Sequence, residues 1–107
     1  MSKGSKAARK EVKGKGKNVF MSKTPGRVTI KYDVGFNNAL YIRGHGGGLS
    51  WEKGVPLKNI GPDEWVWEPS QTFNDCEFKV LINDQYYEGG ENHHLAGGAT
   101  IQYTPSF

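Results

Sequence analysis

The chain has 107 residues, 36% of them hydrophobic and 23% charged, enough for one small domain. Its net charge of +3 is unevenly spread: residues 1–27 hold nine Lys/Arg and one acid, whereas residues 28–107 hold five basic and ten acidic residues. The body is therefore acidic and lacks the basic face of a nucleic-acid binder, which removes the function that net charge alone would suggest.

Residues 1–18 are rich in lysine and glycine and carry almost nothing apolar. They read as a disordered basic tail, because so little burial cannot offset the entropy of ordering. Such a tail contacts polyanions such as RNA, DNA or acidic partners nonspecifically, or serves as a solvated extension. Residues 19–107 read as the folded domain. Val19-Phe20-Met21 is a short apolar island, and Thr24-Pro25-Gly26 is a turn signal. From Val28 to Val34 the pattern alternates, with Val28, Ile30, Tyr32 and Val34 on one face of a first strand. Gly35–Asn38 turns the chain into a second strand, Ala39–Arg43, with Leu40 and Ile42 toward the core.

Gly44-His45-Gly46-Gly47-Gly48 lacks the Lys-Ser/Thr pair and the following helix of a phosphate-cradling loop, so it reads as a flexible connection. Trp51 follows among polar and turn residues, without a period that would bury it; it is either a plug over the core or an exposed stacking platform. Glu64–Glu68 is a short strand with Trp65 and Trp67 on one face, at least one of them assigned to packing.

From Cys76 to Ile82 the alternation is clear: Cys76, Phe78, Val80 and Ile82 on one face, Glu77, Lys79 and Leu81 on the other. Asn83-Asp84 is a two-residue turn signal, since both residues tolerate positive φ. A plain two-residue hairpin pairs Ile82 with Gln85, Leu81 with Tyr86 and Lys79 with Glu88, which predicts a lysine, a ring and a carboxylate on the outward face. Gly89–Gly98 reads as a loop, and Ala99–Thr104 as the last strand. The whole predicts an all-β, immunoglobulin-like sandwich of six to eight mostly antiparallel strands.

Cys76 is the one cysteine, so no internal disulfide forms; a small buried hydrophobe in a reducing, cytoplasmic setting is expected. No apolar run is long enough to span a bilayer, and the N-terminus lacks the hydrophobic segment of a secretory signal. His45, His93 and His94 lack defined ligand spacing with Cys76, so neither metal nor cofactor is expected, and the two adjacent histidines read as an exposed pair. Glu88 and Glu91 resemble a glycosidase carboxylate pair only superficially, because a small sandwich offers no deep cleft. No Gly-x-Ser-x-Gly nucleophile turn is present. A non-catalytic protein is expected.

Three segments in order carry a family resemblance. Ala39–Gly44 followed by Leu49-Ser50-Trp51 and Pro56-Leu57, then Glu77–Tyr86, then Tyr87-Glu88 with Asn92, together resemble the starch- and glycogen-binding modules of carbohydrate-binding families 20 and 48. Those families include the glycogen-binding domain of the AMP-activated kinase β subunit. The resemblance covers about Val28 to Phe107 and implies a β-sandwich that binds α-1,4-glucan on a shallow surface. Carried onto this chain, it makes Trp51 the first stacking ring and Lys79 a donor to sugar hydroxyls. The second ring falls on Tyr86 by hairpin spacing, or on Tyr87 if it must directly precede Glu88. Glu88 and Asn92 supply further polar contacts. Tyrosine stands where the family usually has tryptophan, and the triple glycine before Trp51 is atypical. The implied partners are an α-glucan polysaccharide or oligosaccharide and a glycogen-metabolising enzyme. The alternatives are a protein-interaction module on the same fold with sugar binding lost, or polyanion contact through the tail.

Overall fold

The computed structural model describes residues 26–107, so the expectations for the basic tail and for Val19-Phe20-Met21 lie outside the described residues. The described residues are all-β without a helix: β1 Arg27–Lys31, β2 Leu40–His45, β3 Val55–Pro56, β4 Lys58–Gly61, β5 Glu64–Trp67, β6 Asp75–Ile82, β7 Tyr86–Tyr87, β8 His93–Ala96 and β9 Thr100–Tyr103. The first sheet has the order β4–β5–β1–β9, and the second runs β3–β2–β6, with β8 and then β7 one after the other along the far edge of β6. Every pairing is antiparallel except β1 with β9.

The two sheets bury what the alternation predicts. Val28 and Ile30 of β1, Leu40 and Ile42 of β2, and Cys76, Phe78 and Val80 of β6 are all fully buried. Burying one such aliphatic or aromatic side chain contributes about 1.5–3 kcal/mol, so these three strands supply most of the sandwich's cohesion. Both Trp65 and Trp67 belong to this core, registered opposite Ile30 and Val28. Two segments depart from expectation. β1 ends at Lys31, although Tyr32 N–H still donates to the Asp63 carbonyl and Tyr32 and Val34 still pack on the core. The segment read as a loop from Gly89 to Gly98 contains β8, which pairs Asp75–Phe78 of β6 and sends Leu95 inward.

The glycine run is also structured rather than a flexible connection. Gly44 belongs to β2 where it pairs with β6 opposite Phe78, and a Cβ there would overlap the Glu77 carbonyl oxygen. Beyond it Leu49 N–H donates to the Gly46 carbonyl at 3.1 Å, and Gly46, Gly47 and Gly48 all have positive φ, so the turn demands glycine. This turn sends the chain back beside β2 and delivers Trp51 to the end of the second sheet that carries the β6–β7 hairpin.

Candidate functional site

The outward face of the second sheet is set by register, because directly opposed residues of antiparallel strands share a face. Tyr41 opposes Leu81, and Leu81 opposes Tyr87, so these three form one row. Arg43 opposes Lys79 in the next row, and His45, Glu77 and His94 form the third. Leu81 is fully buried although it points outward, whereas Tyr87 in the same row is exposed.

The hairpin keeps the expected turn but not the expected register. Asn83 and Asp84 both have positive φ, 55° and 56°, and Gln85 N–H closes the turn on the Ile82 carbonyl at 3.0 Å. The registered partner of Ile82 is nevertheless Tyr86, and Glu88 N–H donates to the Val80 carbonyl at 2.9 Å. Gln85 and Tyr86 therefore stand together against Ile82, a bulge that moves the returning strand by one residue. A one-residue slip exchanges the two faces. Tyr87, not Tyr86, joins Lys79 and Arg43 on the outward face. Tyr86 lies on the opposite side of the sheet edge, 64% exposed.

Glu88 is the clearest correction. It was expected outward opposite Lys79, but only 3% of it is exposed. Its Oε2 accepts from Val80 N–H and from the Tyr103 hydroxyl, each at 2.7 Å, and its Oε1 meets His93 Nε2 at 3.0 Å. Burial, and then the hydrogen bond to Glu88, push the Tyr103 hydroxyl well above its ordinary range. His93, expected as half of an exposed pair, lies against Phe78 and Tyr103 with ring centroids 5.3 and 4.2 Å away. Its neighbour His94 is exposed, 3.9 Å from Asp75. Glu88 is thus a buried anchor that holds β6, β8 and β9 together.

Arg43 is the residue that sequence reasoning missed. Its Nε donates to Asp84 Oδ1 at 2.8 Å and its Nη2 to the Asp84 carbonyl at 3.2 Å. Its Nη1 donates to the Trp51 carbonyl at 3.1 Å and reaches the Tyr87 hydroxyl at 3.5 Å. The guanidinium carbon lies 5.9 Å from the Tyr87 ring centroid, within cation–π range. Asp84 Oδ2 accepts from Gly54 N–H at 3.2 Å, which closes the other end of the Trp51 loop. The Arg43 hydrogen bond holds the Asp84 carboxyl below its ordinary range, and the same bond raises the guanidinium. A usable signal was present: an arginine at an outward position of β2, level with a lysine of β6.

The remaining expected residues divide. Trp51 is half-buried, its backbone fixed by Arg43. Lys79 Nζ donates to the carbonyls of Glu88 (3.0 Å) and Gly90, which leaves one of the ammonium's three N–H groups for a ligand. Asn92 is exposed and donates to Glu77 Oε2 at 2.6 Å. Tyr87, Lys79 and Arg43 are thereby brought to one face, with the Trp51 backbone held beside them; Tyr86 and Glu88 are not on it. Among the described residues, no group of three or more His, Cys, Asp or Glu side chains is gathered for a metal ion.

The fold and this face define a small two-sheet β-domain with an aromatic and cationic surface on one sheet. No family model matches the sequence, and no curated protein matches it either.

Proposed function

We propose that the outward face of the second sheet binds α-glucan without catalysis. The observation that carries this reading is the Arg43 guanidinium beside Lys79, which holds the Trp51 carbonyl and reaches the Tyr87 hydroxyl on one sheet face. Sugars present apolar C–H faces and hydroxyl rims. Aromatic rings cover the faces, while lysine and arginine donate to the rims. A shallow site exchanges water for sugar hydroxyls and gains little per hydrogen bond, so affinity is modest.

Electrophoretic retardation in glycogen or soluble starch tests the reading. Wild-type protein is expected to be slowed, Trp51→Ala and Tyr87→Ala to run at the rate of a control gel, and Tyr86→Ala to remain slowed. Unchanged wild-type mobility overturns it. That outcome favours the second reading, a protein-interaction module, which draws support from Glu88 and Asn92 being engaged within the chain.

A further inference from the structure

We propose that Asp84 is a positioning residue: through Arg43 and Gly54 it clasps the Trp51 loop to the β6–β7 hairpin, and so sets the geometry of the binding face. The inference rests on the glucan-binding reading for its consequence, though not for its geometry.

Four contacts carry it, two at the Asp84 carboxylate and two passed on by Arg43. Asp84 uses both carboxylate oxygens as acceptors, Oδ1 from Arg43 Nε and Oδ2 from Gly54 N–H. Arg43 passes the attachment on to the Trp51 carbonyl and the Tyr87 hydroxyl. The fit at Gly54 is close: any Cβ there would overlap Asp84 Oδ1. The carboxylate therefore bridges three elements that are distant in sequence, namely β2, the loop at Trp51–Gly54 and the hairpin tip. The charged and titratable groups facing it are Arg43 from β2, Lys53 from the loop and Tyr87 from β7, by way of Arg43. Both cations favour the ionised carboxylate.

The turn itself does not require this carboxylate. A turn with two positive-φ residues is satisfied by Asn-Gly at least as well as by Asn-Asp. Asp84→Gly thus separates two roles that most substitutions would confound. If Asp84 serves only the turn, glycine preserves or improves everything. If it is a clasp, glycine keeps the hairpin and frees the loop. Asp84→Asn gives a second arm: an amide offers one acceptor oxygen, so its NH2 must face either Arg43 Nε–H or Gly54 N–H.

The experiment is acrylamide quenching of tryptophan fluorescence on the full chain without sugar, with Trp51→Phe protein supplying the contribution of the buried Trp65 and Trp67. It is paired with amide exchange across residues 51–54 and with glycogen-gel mobility. In Asp84→Gly the Trp51 quenching and the exchange of residues 51–54 are expected to rise about threefold, in keeping with a partly exposed ion pair. Thermal midpoint is expected to fall by a few degrees with the fold retained, because the ion pair with Arg43 is lost, and glucan retardation to weaken. Asp84→Asn is expected to change quenching and exchange in the same direction, by less. Unchanged quenching and exchange in Asp84→Gly overturn the clasp whatever the sugar result. Raised quenching and exchange in a protein whose wild type ignores glycogen uphold the clasp and reject the glucan reading instead.

Discussion

Replacing Glu88 distinguishes a buried anchor from a ligand contact. In Glu88→Ala the Val80 N–H and the Tyr103 hydroxyl lose their acceptor, and His93 loses the carboxylate beside it. A buried donor without a partner costs about 1–3 kcal/mol, and the cavity left by a truncated side chain adds to it. Three donors and a small cavity are involved here, so a total of about 3–5 kcal/mol is expected. A domain of this size holds only about 5–10 kcal/mol in total, so Glu88→Ala is expected to be largely unfolded or close to it at 37 °C.

Glu88→Gln keeps the shape. Its single amide oxygen can occupy the Oε2 position and accept from Val80 and Tyr103. Its NH2 then faces His93 Nε2, which accepts in the appropriate neutral tautomer. A loss of about 1 kcal/mol is expected, with the fold retained. Urea unfolding followed by tryptophan fluorescence, at constant slope, measures both variants. Two results refute the reasoning. One is a Glu88→Ala midpoint within about 1 kcal/mol of wild type. The other is a Glu88→Gln protein of near-native stability that no longer responds to glycogen, since an inward carboxylate should not be felt by a ligand on the opposite face.

Gly44→Ala is expected to cost about 3 kcal/mol or more, or to prevent folding, because the added Cβ meets the Glu77 backbone where β2 pairs with β6; a near-native thermal midpoint counts against that close approach. Alkaline pH is expected to destabilise the domain in two stages. Burial, reinforced by Asp75, pushes the Cys76 thiol up to about 11 from an ordinary value of 9.0. Between those pH values the unfolded chain sheds a proton that the folded chain keeps, so stability falls by about 1.4 kcal/mol per pH unit. Tyr103, raised above its ordinary 10.0, adds a second proton of the same sign above pH 10. Urea midpoints measured from pH 8 to 11 are expected to show the fall, with Cys76→Ala removing its first stage; a flat profile contradicts the burial of both groups.

The fold was legible because its strands alternate. Val28 and Ile30, Leu40 and Ile42, and Cys76, Phe78 and Val80 face inward as their spacing requires. β8 was not legible, because His93-His94-Leu95-Ala96 carries a single aliphatic anchor, Leu95, and its pairing is decided by β6. At the site, the turn could be read from Asn83-Asp84, but the bulge after it could not. A bulge at Gln85 leaves no mark in local composition, and what selects it is tertiary: the inward register offers Glu88 three donors from β6, β8 and β9. Alternation assigns faces only until the first irregularity. One extra residue here carried Tyr87 outward and Glu88 inward.

The same slip turns inward Glu88, the carboxylate that plain strand pairing would have set beside Lys79. Arg43 and Lys79 stand directly opposite one another, and like charges so placed destabilise a sheet. Each is answered separately. Lys79 turns to two backbone carbonyls that the bulged strand presents, those of Glu88 and Gly90. Arg43 turns to the hairpin tip, where Asp84 carries the carboxylate. A glycine would serve the positive-φ position of the turn as well, but it would leave the guanidinium facing a lysine with no anion beside it. The acid at the tip and the arginine on the strand therefore belong to one arrangement, whose effect is to fix the backbone on which Trp51 is carried.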